Sequence, residues 1–146
     1  MDEKPVKVIN GDGLILGRVV SYIAKNAMKG ERFHVKNAEM MVISGSRNEI
    51  VAKYVKRRNL RNKANPEHSP KWPKRPDYLV KRVLKGMLPF AKASGKSAYR
   101  NVMIYMGDEG PKVEGEHVEF GDSFKKDKLI KYITVLELCR ALSYRH

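Results

Sequence analysis

The chain is short of cysteine, of long apolar runs and, through its middle third, of acids. A single cysteine, Cys139, among 146 residues excludes an internal disulfide framework and argues against a cysteine-based zinc site. His34, His68, His117 and His146 are scattered without ligand spacing, so no metal is expected. No apolar run approaches the roughly 18 residues of a membrane-spanning helix. Met1-Asp2-Glu3-Lys4-Pro5 lacks the basic and apolar regions of a signal peptide, so a cytoplasmic protein is expected. No Ser/His/Asp or Cys/His constellation can be drawn, and Cys139 lies on an apolar stripe that reads as core. Nothing here calls for catalysis, a cofactor or a small-molecule substrate.

Cations are abundant. Lys and Arg number 30 against 16 acids, a net charge of +14. From Arg47 to Arg100 there are sixteen Lys/Arg and three acids (Glu49, Glu67, Asp77), a net of +13, whereas the other 92 residues carry a net of +1. Such a block repels itself unless a polyanion lies against it, so nucleic acid is the leading partner. A basic surface kept for solubility is the plainer alternative. An anionic membrane fits less well, because the segment is not one amphipathic helix.

The first 45 residues read as strand, helix, strand, strand. Val6-Lys7-Val8-Ile9 ends at a turn, Asn10-Gly11-Asp12-Gly13. Leu16, Val19, Val20, Ile23, Ala24 and Ala27 recur at helical spacing, with Gly30 as the stop. Phe33-His34-Val35 is a short strand, and the apolar run Met40-Met41-Val42-Ile43 predicts a strand covered on both faces. Ser46 and Glu49 form a capping-box pattern that opens a helix near Arg47. Asn62 to Pro76 holds four of the seven prolines and reads as a structureless loop. A short helix is expected at about Asp77 to Leu84, with Gly86 beyond its end, and Val102 to Met106 reads as a buried strand. Residues 108–128 are acidic and turn-rich. Thr134 and Glu137 repeat the capping box and start a C-terminal helix, about 134–146, whose stripe Val135, Leu138, Cys139 and Leu142 docks on the body. The pattern predicts one parallel α/β domain over residues 1–146, with a basic extension at about 47–100.

On the second helix, Ile50, Val51, Tyr54 and Val55 share one arc, opposite Lys53, Lys56 and Arg57. Arg58 falls inside the apolar arc, so packing should end before it and the turn Arg57 to Arg61 should project. Lys53, Arg57 and Arg61 form one row of like charges, which costs a few tenths of a kcal/mol per pair unless phosphates lie against it. In the loop, Trp72 sits among Lys63, Lys71, Lys74 and Arg75. It could stack on an unpaired base or cover a helix edge. Gly95-Lys96-Ser97 imitates the end of a Walker A loop but lacks its first glycine and preceding strand. Gly11-x-Gly13-x-x-x-Gly17 imitates a dinucleotide fingerprint, which leaves a nucleotide-binding α/β enzyme as an alternative.

The ordered set of segments Asp12-Gly13-Leu14-Ile15-Leu16-Gly17-Arg18, Asn37-Ala38-Glu39, Val42-Ile43-Ser44-Gly45-Ser46-Arg47, Arg75-Pro76-Asp77, Lys85-Gly86-Met87-Leu88-Pro89 and Tyr105-Met106-Gly107 resembles the thirteenth universal protein family of the large ribosomal subunit. The tail from Tyr132 to Leu138 is similar to its archaeal branch. The resemblance implies a three-layer α/β/α fold around a four-stranded parallel sheet. It also implies a structural role in binding large-subunit ribosomal RNA beside neighbouring ribosomal proteins, early in assembly. Carried onto matching positions, Arg18, Arg47, Arg75, Arg82, Lys85 and Lys96 become expected RNA contacts, presented by the turn Gly86-Met87-Leu88-Pro89. From the basic segment itself, Lys53, Lys56, Arg57, Arg58, Arg61, Lys63, Lys71, Trp72, Lys74 and Arg100 are expected to join them. A free RNA-binding translational regulator is the second alternative.

Overall fold

Short β-rich runs alternate with helices whose apolar residues recur at three and four. The computed structural model describes residues 5–108, 110 and 115–145. Val6–Asn10 forms β1, Leu16–Ala27 α1, Arg32–Lys36 β2 and Val42–Ser44 β3. Arg47–Asn59 forms α2, Pro76–Met87 α3, Ala93–Arg100 α4 and Val102–Ile104 β4. Glu116–His117 forms β5, Tyr132–Thr134 β6 and Val135–Ala141 α5.

The main sheet has the order β4-β2-β1-β5 and every pairing in it is parallel. Among the described residues five helices flank it, and the fold is the expected α/β class. In-register rows place Ile9 beside Val35, and Phe33 beside Val102, on the core face. These residues join Val19, Val20 and Ile23 of α1 and Leu79, Val80 and Leu84 of α3 in one cluster. Phe33 is fully buried, a contribution on the order of 1.5–3 kcal/mol.

The fourth strand of the sheet is not the expected one. Met40 ends a 3-10 turn, Ala38–Met40, and is 40% exposed. The following β3 leaves the main sheet to pair antiparallel with β6, Ile43 opposite Ile133. The vacant edge beside β1 is taken by β5, from the turn-rich stretch with no expected element; residues 109 and 111–114 of that stretch lie outside the described residues. β4 is the opposite edge rather than a buried strand, and Met103 is 47% exposed.

α5 starts as expected. The Glu137 amide donates to Thr134 Oγ1 at 3.2 Å and the Thr134 amide donates to Glu137 Oε2 at 3.3 Å, a cap worth about 1 kcal/mol. Val135, Leu138, Cys139 and Leu142 are all buried, and the Val135 amide donates to the Met41 carbonyl at 2.8 Å. The helix ends at Ala141, earlier than expected, because Ser143 turns left-handed with φ of 68°. Burial, and secondarily the Asp77 charge, push the Cys139 thiol up to about 12, so it stays a protonated core group.

Candidate nucleic-acid interface

The site grows out of α2 and the loop that follows it. Ser46 stands at the N-cap of α2, yet its hydroxyl makes no cap bond, so the expected capping box is absent there. α2 buries only Ile50 and Tyr54, and Val55 is 39% exposed. A helix with so little apolar contact needs another cover, and Trp72 supplies it. Its ring meets Tyr54 edge-on at 5.6 Å and an interplanar angle of 86°. The loop is therefore anchored rather than structureless. It also contains a 3-10 turn at Pro66–His68 and a hydrogen bond from the Asn62 amide to Ser69 Oγ at 2.9 Å. Trp72 covers the helix edge, one of the two roles open to it.

The expected projection of the last turn of α2 is corrected by the same contact. Arg57 and Arg58 are half-buried. Arg58 Nη1 donates to the Trp72 carbonyl. The Arg57 guanidinium lies 4.8 Å from the Trp72 centroid and 5.1 Å from that of Tyr54. Arg82 reaches the same indole from α3, also at 4.8 Å. Cations from α2 and α3 thus share one ring, at most about 10 Å apart, so their repulsion in water-like dielectric is about 0.4 kcal/mol or more. A phosphate placed against both reverses that sign.

α3 runs longer than expected, from Pro76 to Met87, because Gly86 continues the helix and Leu88 and Pro89 end it. Arg75 binds Asp77 Oδ1 through Nε at 2.9 Å and lies over Tyr78 at 5.2 Å. Lys85 lies over Phe90 at 4.5 Å, and Phe90 meets Tyr99 edge-on at 5.3 Å. Lys81 lies over Tyr99 at 4.6 Å and donates to the Val102 carbonyl. Burial pushes the Lys81 amine below its usual range and the Tyr99 phenol above its own. The α4 helix had no counterpart in the sequence patterns. It fits here because Gly95 lets it touch the Pro89 carbonyl, which an added Cβ would meet at 2.2 Å. That contact accounts for the glycine of the Walker look-alike.

Lys53, Lys56, Arg61, Lys63, Lys71, Lys74, Arg75, Lys96 and Arg100 are exposed, while Lys85 and Arg82 are half-buried. The structure links Arg57, Arg58, Arg82 and Trp72 directly. Arg47 is exposed at the far end of α2, roughly 15 Å from Arg57 along the axis. Arg18 stands apart and donates through Nη1 to the Ser123 carbonyl. Sequence reasoning missed the ring platform of Tyr54, Tyr78, Phe90 and Tyr99. The signal was present in the spacing of aromatics three residues from cations, as in Tyr54 to Arg57 and Arg75 to Tyr78.

The Gly11–Gly17 turn is closed by the chain itself. The Ile15 amide, at the N-terminus of α1, donates to the Phe124 carbonyl at 2.7 Å, and the Lys126 amide donates to the Gly13 carbonyl at 2.9 Å. A phosphate seated on the Ile15 amide would have to displace the Phe124 carbonyl.

A parallel α/β body carrying a ring-supported cationic surface defines the class: a basic α/β domain. Residues 4–111 match the family model described as Ribosomal protein L13, and the chain belongs to that family. It is 38% identical over 136 residues to the large ribosomal subunit protein uL13 of Methanocaldococcus jannaschii, covering 92% of this chain and 96% of the relative. It is 41% identical over 115 residues to the protein of the same name from Methanosphaera stadtmanae, covering 77% and 80%. With its namesake from Natronomonas pharaonis it shares 40% over 135 residues, covering 92% and 89%. Among the described residues, no helix is long and apolar enough to cross a membrane.

Proposed function

We propose that the protein is a structural constituent of the large ribosomal subunit that binds large-subunit ribosomal RNA by neutralising its phosphates and supports early subunit assembly. The observation that carries this reading is the convergence of Arg57, Arg58 and Arg82 on Trp72, in a chain of the Ribosomal protein L13 family. Around that centre, Lys53, Lys56, Arg61, Lys63, Lys71, Lys74, Arg75, Lys85, Lys96 and Arg100 extend the surface, with Arg47 at its margin and Arg18 a separate RNA contact. Recognition follows the shape and backbone of folded RNA, since cations on rings read charge and spacing rather than base edges. Neighbouring ribosomal proteins are the remaining partners, and the ribosome in the cytoplasm is the working location.

Crosslinking of the full chain to large subunits, read at nucleotide resolution, tests the proposal. The expected result is crosslinks from the 47–100 segment to ribosomal RNA and co-sedimentation that survives moderate salt. Release from the subunit in moderate salt, with binding retained only to free RNA, would instead identify a regulator.

A further inference from the structure

We propose that the cleft between α3, α4 and the outer edge of β4 receives one unstacked nucleobase of the bound RNA, an inference that rests on the RNA-binding reading and deepens it. The cleft has a volume of about 340 Å³ and is lined by Asp77, Tyr78, Lys81, Tyr99, Met103 and Tyr105. Three phenol rings line it, and Tyr78 and Met103 remain 58% and 47% exposed. A base offers the flat π-face that such rings stack on, whatever its identity.

The polar groups select against a phosphate as the occupant. Asp77 brings a carboxylate into the cleft, half-committed through Oδ1 to Arg75 and to the Tyr78 amide at 2.8 Å. The Lys81 amine at the floor is already given to the Val102 carbonyl and to the Tyr99 ring. An anion would meet that carboxylate with no uncommitted cation opposite, whereas the amino groups of a base are donors that a carboxylate accepts. Cations stand at the rim instead. Arg75 lies over Tyr78, and Lys85 reaches Phe90 beside Tyr99. Phosphates on either side of an inserted base would fall against them. Lys81 and Tyr99 at the floor are both half-buried.

The test compares the full chain with its Tyr78→Ala and Tyr78→Phe variants, Tyr78 being exposed enough for both to fold. The probes are oligocytidylate and oligouridylate of about twelve nucleotides and an abasic ribose-phosphate oligomer of equal length. The parent chain is expected to bind the base-bearing strands roughly five- to a hundredfold more tightly than the abasic one. Tyr78→Ala should lose that preference while keeping the salt dependence, and Tyr78→Phe should retain it. Equal binding of all three oligomers by the parent, with a steep salt dependence, overturns the base site and leaves the phosphate reading standing. A shallow salt dependence on every strand overturns the phosphate reading itself. Unchanged RNA affinity in Tyr78→Ala, with loss of a crosslink from this cleft to a neighbouring protein in assembled subunits, also overturns the base site and assigns the cleft to a protein side chain.

Discussion

The Arg57 guanidinium is held over two rings at once, 4.8 Å from the centroid of Trp72 and 5.1 Å from that of Tyr54. Its charge is therefore positioned by packing rather than left on a free side chain. Arg61, one turn further on, is exposed. Arg57→Ala is expected to cost about 0.5–1 kcal/mol of stability through the lost cation–ring contact. Arg61→Ala should stay within about 0.5 kcal/mol of the parent. Both should weaken RNA binding. Urea unfolding and RNA titration of the two single variants check this, and an Arg57→Ala chain as stable as the parent would show that the ring contact does not form in solution.

Two glycines of the helices make opposite cases. A Cβ at Gly95 meets the Pro89 carbonyl at 2.2 Å, whereas one at Gly17 meets nothing within 4 Å. Gly95→Ala must push α4 off its seat and is expected to cost about 1–3 kcal/mol. Gly17→Ala lies in the first turns of α1, so it should be neutral or add up to about 1 kcal/mol. Thermal unfolding of both variants decides the matter, and equal melting temperatures would show that α4 does not pack against Pro89.

Much of this architecture is legible in the residues, and the failures have physical causes. α1 and α5 are long or well-capped stripes with local signals, so Leu16 to Ala27 and the Thr134–Glu137 box are found from spacing alone. β3 and β5 depend on which edge of the sheet is vacant, a non-local choice that the apolar run Met40–Ile43 does not encode. The Ser46-x-x-Glu49 pattern predicts a cap that is not made, because a short motif fixes position and not hydroxyl orientation. The charge of the interface is fully visible in the sequence. Its organisation is not, since the rings that gather Arg57 and Arg82 come from separate segments and meet only in the fold.

His34 gives the fold an acid-side sensitivity. Its Nδ1 is buried without a hydrogen-bond partner, and burial pushes its pKa below the ordinary 6.5. The unfolded chain therefore takes up this proton at a higher pH than the folded protein does. Stability from the neutral ring is complete above pH 6.5 and is lost as pH falls through the folded value. His34→Leu is expected to flatten this part of the profile. Chemical unfolding from about pH 7 to 5 measures it, and an unchanged slope in the variant would assign the sensitivity to another group.

The salt dependence of binding to large-subunit ribosomal RNA tests most directly whether the 47–100 surface works by displacing counterions. Neutralising about eight phosphates gives an expected slope of log affinity against log salt near −6 to −7. A slope shallower than about −2 on that RNA would contradict a phosphate-bound interface.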